Sequence, residues 1–537
     1  SPWARAFVPS GGVQAPPHAR AVYLKIGDEP LVIVKLDQCV ATDRLVYDLE
    51  QALAPDGSLR GHVIVSTSHT HSGYGDFHPA FHLTLGFDLF NEAQYQRLLA
   101  SLAQAGKAAI AAARPAKLGV GVWDGWDPKD QIFSDRRGED DKLPGRDGKP
   151  RGATKDNRLT VLRIDDENDQ PLAALFHFPM HGTIAGEDNP LASVDSTGHV
   201  ELGLEEYFDS QVLVAHLQGP AGDQSPRGAG GMGPGCDDKK RVCADFARME
   251  SLGELAAPRI YSLWQNVKTS AQAELEVQTR AVPDGRAISV RGGGLRYAPY
   301  DPDAVTDGSA AAIFDEQGQV RSPIKQFNVP YGAGLCGGKG RQIPADGIDG
   351  VVDPPYASCV EIASAGTVIA TAAKITAPMV PDCVTTRTTL TAVRLGGVPV
   401  VRRQPSAKPD DPPVYASASE DLLFATLPGE PVTSLAEKLR AQSPFGPDRT
   451  FVLGYSQGHV GYLLDVENWL AGGYEPSINI YGPLEGEWLM ERALDLAKLA
   501  MTPERDDAVR GRCAGRRSAP GRTRAGCADP GARRRGR

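Results

Sequence analysis

Short strand-like runs alternate with helical stretches along much of this 537-residue chain, and this alternation most constrains its fold. In the N-terminal part, apolar runs rich in β-branched residues predict strands at 21–26, 31–36 and 62–66. Helices are predicted near 42–53 and over 92–113. Strands that alternate with helices in this way are typical of α/β proteins. We therefore predict mixed sheets that are flanked by helices.

Further strands are predicted at 117–122, 159–164 and 172–181. After a long irregular stretch the alternation resumes in the C-terminal part, with strands predicted at 388–394, 422–427 and 450–453 and helices at 431–441 and 485–499. Residues 282–382 are rich in Gly, Pro and Asp, which predicts a loop-rich β insertion. Residues 503–537 are rich in Arg, Gly and Pro and almost lack large apolar side chains, which predicts a disordered tail. We therefore predict one domain over 1–502, with the insertion inside it.

Charge and hydropathy argue against two classes of function. The formal net charge of -10 disfavours general nucleic-acid binding, which depends on a basic surface that neutralises phosphates. No apolar run is long enough to span a bilayer, and residues 1–10 lack the charged-then-apolar layout of a signal peptide. We expect the chain as given to be soluble and to have no nucleic-acid partner, while its oligomeric state stays open.

The eight cysteines leave disulfide pairing open. Cys236 and Cys243 lie close together in a Gly-rich loop, and Cys336 and Cys359 share another loop-rich stretch, so either pair could form a disulfide. Neither pair has the CxxC spacing of a cysteine zinc site. Disulfides would favour a secreted or periplasmic location, and a cytoplasmic location stays open as well.

Two histidines stand two residues apart in the segment Ser-His-Thr-His-Ser-Gly, residues 68–73. The segment follows the predicted strand 62–66, and period-two geometry would aim the rings of His69 and His71 to one side. Imidazole is a common neutral ligand of zinc. Histidines in polar loops are often only surface residues, but five of the chain's 11 histidines fall between 62 and 82. We therefore predict a metal site here.

Three other segments carry candidate site residues. The predicted strand 172–181 would, if extended, place His177 and His181 on one face, with His181 at the exit of the strand. Glu430 lies between a predicted strand and a predicted helix, where a carboxylate is either a metal ligand or, more commonly, a helix cap. Ser225 follows glycines that let the backbone approach a ligand closely, although this segment alone indicates only a turn.

A rival site is the segment Gly-Tyr-Ser-Gln-Gly, residues 454–458, which fits the G-x-S-x-G nucleophile elbow of α/β-hydrolases. That interpretation requires a histidine after Ser456, usually with an acid between the two. His459 is the only histidine beyond Ser456, and it is too close in sequence to fold back onto the serine. A serine esterase that uses Ser456 is therefore the less favoured alternative.

Taken together, five segments resemble motifs of the neutral, non-lysosomal ceramidase family and occur in the same order. They are 68–73, 178–183 (Phe-Pro-Met-His-Gly-Thr), 222–226 (Gly-Asp-Gln-Ser-Pro), 427–430 (Leu-Pro-Gly-Glu) and 454–462. The later segments Gly473-Tyr-Glu and Tyr481-Gly-Pro are similar to the family's closing motif. Each motif is weak alone, but the ordered combination, which covers about 21–499, is specific. The family consists of zinc amidohydrolases that cleave ceramide to sphingosine and a fatty acid.

The resemblance implies a set of site residues and an activity. It implies Zn²⁺ held by His69, His181, Glu430 and Tyr462, with His71 beside the reacting centre and Ser225 as the counterpart of the active-site serine. The implied reaction is hydrolysis of the amide of ceramide or a related N-acyl lipid. Contact with a membrane surface stays open, because the family's lipid docking is assigned to the domain that the Arg-rich tail replaces. Whether Ser225 or a water on the zinc is the nucleophile stays open.

Departures from the family concern the substrate more than the chemistry. The family's Asn-Arg-Ser-Pro segment is altered, and its nearest counterpart makes Arg136 the candidate substrate or oxyanion contact. The early Gly-rich opening is absent or altered as well, and the Arg-rich tail stands where the family has an immunoglobulin-like domain. Acyl-chain and amine specificity therefore stay open. An alternative of another class is a relative without catalytic activity that binds lipid through the same cleft.

Overall fold

The computed structural model describes most of the chain, apart from the N-terminus, several loops, most of 284–386 and the C-terminal tail. The described residues are 9–78, 87–88, 90–136, 155–186, 189–208, 212–229, 241–283, 387–405, 412–471, 475, 484–501 and five short strands between 288 and 360. The predicted disordered tail, 503–537, lies outside them. In the described part, none of the helices combines the length and the apolar character that crossing a membrane would require.

The described strands and helices are numbered in chain order. The strands are β1 (Gly12–Val13), β2 (Ala19–Ile26), β3 (Glu29–Leu36), β4 (Val63–Thr67), β5 (Ala116–Asp124), β6 (Phe133–Asp135), β7 (Arg158–Asp166), β8 (Pro171–Phe178), β9 (Leu191–Ala192), β10 (Leu213–Gln218), β11 (Gln224–Pro226), β12 (Glu274–Pro283), β13 (Ile288–Ser289), β14 (Arg296–Ala298), β15 (Ala312–Phe314), β16 (Leu335–Gly338), β17 (Tyr356–Val360), β18 (Arg387–Arg403), β19 (Tyr415–Thr426), β20 (Glu430–Pro431), β21 (Thr450–Leu453) and β22 (Tyr462–Leu463). The helices are α1 (Asp43–Leu53), α2 (Glu92–Ala111), α3 (Asp195–Glu205), α4 (Arg241–Asn266), α5 (Thr433–Gln442), α6 (Val466–Ala471) and α7 (Glu485–Ala500).

Two mixed sheets form the centre of the molecule. The larger has eight strands in the order β10-β8-β7-β5-β18-β19-β21, with β12 paired to β18. Within it, β8 with β10, β5 with β18, and β19 with β21 are parallel, and the other pairs are antiparallel. The smaller sheet has the order β2-β3-β4, in which β2 and β3 form a hairpin and β4 runs parallel to β3. The predicted α/β class with mixed sheets is confirmed.

The two sheets pack face to face, and helices cover their outer faces. Along β3, Leu31 and Ile33 belong to the apolar cluster between the sheets, whereas Val32 and Val34 pack with α1 and α2. This division follows from the period of two, which sends successive side chains to opposite faces of a strand. Such a strand is apolar on both faces because both are buried. The outer face of the larger sheet is covered by α3 and α4.

Several predicted elements differ from the observed ones in their bounds. The strand predicted at 172–181 ends at Phe178, and the helix predicted from 431 begins at Thr433 because β20 pairs with β22 immediately before it. The strands predicted at 388–394 and 422–427 are parts of a longer antiparallel pair, β18 and β19. Helices α3, α4 and α6, strands β10 and β12, and the short strands β1, β6, β9, β11, β20 and β22 were not predicted. A proline inside α4, Pro258, is one signal that argues against a continuous helix.

The predicted insertion, 282–382, falls mostly outside the described residues. Its described parts are the last two residues of β12 and the strands β13 to β17, in agreement with the prediction of short β elements. Cys336 and Cys359 are cross-strand partners in the register of β16 and β17. Cys236 lies outside the described residues. Disulfide formation by these cysteines, and the domain bounds at 502, stay predictions.

Candidate metal centre

Two loops and a pair of short strands bring polar side chains together beside the two sheets. His69 follows β4, and His181 follows β8 by three residues. Glu430 in β20 and Tyr462 in β22 are register partners, so their pairing places the acid beside the phenol. The two loops are joined directly, because His71 N donates to the Gly182 carbonyl at 3.1 Å. The site is therefore assembled from segments that are up to several hundred residues apart.

Three of these side chains could hold a metal ion. Glu430 Oε2 lies 3.3 Å from His69 Nε2 and 3.2 Å from His181 Nε2, and all three residues are buried. Their ligand atoms lie within 4.8 Å of one another. Two imidazole nitrogens and one carboxylate form a donor set that suits zinc. The chemistry of these residues thus fits the predicted metal.

Backbone carbonyls orient both imidazoles. Nδ1 of His69 donates to the Cys39 carbonyl at 2.8 Å, and Nδ1 of His181 donates to the Ala221 carbonyl at 2.5 Å. A carbonyl only accepts, so each Nδ1 carries a hydrogen and each Nε2 is directed toward Glu430. Metal-bound histidines are commonly held in this way by a partner of the second ring nitrogen.

Burial and charge act against each other on the pKa values of the cluster. Burial, with the nearby Arg136 cation, lowers the pKa of His181 to about 4. Burial also lowers the pKa of His69, but Glu430 and Cys39 outweigh it, and the net pKa lies well above the ordinary value. Burial alone would raise the pKa of Glu430, yet His69 and other histidines hold it well below the ordinary value. The carboxylate is therefore charged, and metal binding would displace a proton from His69.

Arg136 and Tyr462 extend the cluster. The phenol oxygen of Tyr462 lies 3.5 Å from His181 Nε2 and accepts a hydrogen bond from Arg136 Nη2 at 2.9 Å. Arg136 Nε donates to Glu475 Oε1 at 2.8 Å, and Arg136 Nη2 also donates to the Gly222 carbonyl. Arg136 follows the last residue of β6, and Glu475 belongs to the predicted closing motif. The structure thus places both predicted residues, Arg136 and Tyr462, next to the three metal-binding candidates.

His71 lies beside the cluster. Its Nε2 is 3.2 Å from His69 Nε2, and its pKa is well below the ordinary value because of burial and the neighbouring His69 and His181. The structure corrects the predicted reason for this proximity, since β4 ends at Thr67 and His69 has a positive φ of 60°. Cys39, His69 and His71 also form a second potential metal-binding group, which shares His69 with the first.

Ser225 is half-buried on β11, next to the backbone that anchors His181. The carbonyl of Gln224 accepts from His181 N at 2.9 Å, and Ser225 itself pairs with Ser134 of β6. The same β6 leads into Arg136. Ser225 is therefore fixed between two segments that carry site residues.

Glu430 does not cap α5, so the more common alternative for this residue is wrong. The first residue of α5 is Thr433, and its N–H donates to Asp223 Oδ1 at 3.0 Å. Asp223 belongs to the segment Gly-Asp-Gln-Ser-Pro. It provides the carboxylate at the N-terminus of α5, which is the role that a cap at Glu430 would have had. Glu430 is consequently available to the imidazoles.

The structure gives the Ser456 alternative no support. Ser456 is buried, and its Oγ donates to the Gly454 carbonyl at 2.9 Å. His459 faces Glu430 instead, with its Nε2 3.4 Å from Oε1. His177, predicted on the same face as His181, donates from Nε2 to the Val452 carbonyl at 2.9 Å and is separate from the cluster.

Besides Cys39, two site residues were not predicted, and both belong to the segment 454–462. The Tyr455 hydroxyl lies 3.4 Å from Glu430 Oε2 and 3.4 Å from His181 Nδ1, and His459 contacts the other oxygen of Glu430. The signal that could have indicated them is their place in the segment that supplies Tyr462. Single residues in a loop of mixed polarity show no apolar periodicity, so the sequence does not indicate where their side chains point.

One glycine is required for the approach of the loops. A Cβ on Gly182 would lie 2.7 Å from the His69 carbonyl oxygen and 2.8 Å from Thr70 N, which are backbone atoms. A real Cβ would therefore separate the loop of His181 from the loop of His69. This contact explains why glycine follows His181 in the sequence.

Comparisons with known proteins agree with the motifs. Residues 3–257 match the family described as neutral/alkaline non-lysosomal ceramidase, N-terminal. Neutral ceramidases A and B of Dictyostelium discoideum are each 26% identical to this chain, over 44% and 43% of its length. These matches span only 35% and 34% of the two relatives. The resemblance to the neutral ceramidases is confirmed.

Two solved structures share the fold. The neutral ceramidase from Pseudomonas aeruginosa superposes with a TM-score of 0.58 at 18% identity, over 88% of this chain and 66% of that one. A ceramidase complexed with C2 superposes with a TM-score of 0.62 at 19% identity, over 98% of this chain and 74% of that one. The fold therefore extends over nearly the whole chain, well beyond the residues matched in sequence.

Proposed function

Because residues 3–257 match the neutral/alkaline ceramidases and most of the chain shares their fold, we propose that this protein is a zinc-dependent amidohydrolase. Its substrate would be ceramide or a related N-acyl lipid, and its products a fatty acid and an amine. The observation that carries the proposal is the shared contact of Glu430 Oε2 with His69 Nε2 and His181 Nε2. A buried acid between two oriented imidazoles is costly unless a cation or a proton is bound there.

Four residues would hold the zinc: His69, His181, Glu430 and Tyr462. When bound, zinc supplies a Lewis acid that polarises the amide carbonyl and eases the ionisation of water. Tyr462 is an unusual donor, and the hydrogen bond from Arg136 supports it because a guanidinium favours negative charge on the phenol oxygen.

The remaining residues would act on the substrate. His71 lies 3.2 Å from His69 and would carry the proton that the leaving amine requires. The Arg136 side chain is 20% exposed and would stabilise negative charge on the substrate oxygen. Ser225 would be either the nucleophile or a group that orients the tetrahedral intermediate.

Metal content and turnover of the same preparations test this proposal. Purified protein is expected to contain about one zinc ion, and to hydrolyse N-acyl sphingosines faster than N-acyl amino acids. His181→Ala should remove both zinc and turnover. His177→Ala is the matched control, since it removes a buried histidine that does not contact the cluster.

Three results would contradict the proposal. Full turnover by metal-free protein would exclude zinc chemistry, and zinc without turnover of any amide would favour a lipid-binding relative. If His181→Ala and His177→Ala lower turnover equally, the cluster has no special role in the reaction.

A further inference from the structure

We propose that His459 is a positioning residue that selects which oxygen of Glu430 faces the metal. The inference rests on the proposed function and adds to it a residue outside the set of four ligands. Glu430 presents its two oxygens to different partners. Oε2 contacts His69, His181 and the Tyr455 hydroxyl, whereas Oε1 lies 3.4 Å from His459 Nε2.

The ring of His459 is buried beside the cluster. Its side chain is only 8% exposed, and its ring is stacked on those of His69 and Tyr455, at centroid distances of 6.0 and 6.3 Å. Within the described part of the chain, its Nδ1 has no hydrogen-bond partner. The ring therefore directs its polar edge, Nε2, at Glu430 Oε1.

The backbone around His459 supports a fixed orientation. Tyr455 and Gln457 have positive φ values of 52° and 72°, a backbone region that residues other than glycine seldom adopt. Gln457 is itself held by hydrogen bonds from its Nε2 to the Val63 carbonyl and to Thr391 Oγ1. Strained residues of this kind persist where the surrounding structure holds them, often at functional sites.

Holding one oxygen has a direct consequence for metal binding. A carboxylate can bind a metal through one oxygen or through both, and a free carboxylate rotates between these states. A donor on Oε1 leaves Oε2 as the oxygen that faces His69 and His181. Partners that orient a ligand in this way typically change metal affinity by about 10- to 100-fold.

Zinc affinity of the metal-free protein, measured by competition with a chromophoric chelator, tests the inference without any substrate. His459→Ala is expected to bind zinc about 10- to 100-fold more weakly than the native protein. His459→Gln should restore much of the affinity, because its amide can donate to Oε1 from a similar distance. His177→Ala is the control for the loss of a buried histidine elsewhere, and its zinc affinity should match that of the native protein.

Absorption of the cobalt(II) form distinguishes an orienting residue from a ligand. The native protein and His459→Gln should give the same visible bands, because the ligand set is unchanged. A spectrum of His459→Gln that shows a changed coordination number would overturn the inference by making His459 a ligand. Unchanged zinc affinity in His459→Ala, or an equal loss in His177→Ala, would overturn it as well. A native protein that binds no zinc would instead refute the proposed function on which it rests.

Discussion

At the scale of single residues, Glu430 determines the electrostatics of the site. Its carboxylate is buried and yet charged, because burial raises its pKa less than the surrounding histidines lower it. Water cannot screen charges there, so each nearby group has a large effect. His181 responds in the opposite way, with a pKa lowered to about 4 by burial and by Arg136, and therefore presents a neutral Nε2 at pH 7. Among the three metal-binding candidates, charge is thus concentrated on Glu430 and His69.

Ser225 is the residue whose role can be decided most simply. Ser225→Ala is expected to keep its zinc, because the hydroxyl is outside the ligand set, and to lose turnover by about 10²-fold or more, as when a group that acts on the transition state is removed. Ser134→Ala is the matched control, since Ser134 is the strand partner of Ser225. Turnover that stays near the native rate in Ser225→Ala would leave water as the nucleophile. Metal content and steady-state rates provide the measurement.

At the scale of secondary-structure elements, Asp223 joins a loop of the site to α5. Its carboxylate accepts from the N–H and the hydroxyl of Thr433, at the helix N-terminus that immediately follows Glu430 and Pro431. A carboxylate at this end of a helix satisfies free N–H groups and interacts favourably with the helix dipole. The orientation of Glu430 therefore depends on an acid from a different part of the chain.

We expect Asp223→Ala to lower the free energy of unfolding by about 1–2 kcal/mol, which is the usual cost of losing a helix cap. Asp223→Asn should retain most of this stability, because an amide oxygen can still accept from Thr433. Urea denaturation of the three proteins measures the difference. An alanine variant as stable as the native protein would show that α5 does not need this contact.

The buried ion pair of Asp156 and Arg440 predicts a pH dependence of stability. Their side chains are 5% and 7% exposed, and Arg440 Nη2 lies 2.6 Å from Asp156 Oδ2, which joins α5 to the segment before β7. Burial raises the pKa of Asp156, but Arg440, together with the nearby His177 and Arg158, outweighs it, so that the folded pKa is below the ordinary value of 3.8. The stabilisation is consequently full above pH 3.8 and is lost as the pH falls through the folded pKa.

Asp156→Asn should lower the free energy of unfolding at pH 7 by about 3–5 kcal/mol, because it leaves a buried guanidinium without its counter-ion. The difference from the native protein should shrink as the pH falls below 3.8. The control is Asp124→Asn, in which the acid is 61% exposed and the expected effect is below about 1 kcal/mol. Urea denaturation at several pH values gives both curves. A difference that does not change with pH would contradict the assigned pKa shift.

At the scale of the whole molecule, a bound metal would connect segments that the chain keeps far apart. Of the four proposed ligands, His69 and His181 lie on loops that follow β4 and β8, and Glu430 and Tyr462 lie on the short paired strands β20 and β22. A ligand that binds only the folded state stabilises it, by about 2.7 kcal/mol when its free concentration is 100 times its Kd. The metal should therefore stabilise the whole arrangement as well as complete the site.

Removal of zinc with a chelator should lower the thermal midpoint of the native protein by several degrees, and readdition of zinc should restore it. His181→Ala should show no response to chelator, because its metal site is already incomplete. Differential scanning calorimetry measures both proteins. An identical response of the two would place the stabilising metal elsewhere.

The sequence alone was sufficient for the α/β class and for the longer elements near the site, because apolar periodicity is local information. The short strands β6, β11, β20 and β22, which carry or precede site residues, were not predicted, and the ligand roles stay predictions. Apolar periods revealed β3, α1 and β21, and ordered motifs identified His69, His181 and Glu430. Periodicity missed α3 and α4, and it wrongly extended the strand before His181. The resembling motifs continue to Tyr462, well beyond residue 257, where the match to the ceramidase family ends.

Only the tertiary structure decided the directions of side chains in the loops. Glu430 is compatible with a helix cap in sequence, and the pairing of β20 with β22 and the competing Asp223 exclude that role. The positive φ of His69, the contact of His459 and the approach of Arg136 to Tyr462 likewise depend on long-range packing. Local sequence determines which elements form, because hydrogen bonding and apolar period act over a few residues. Contacts between distant loops depend on how the two sheets pack, and no short segment encodes that packing.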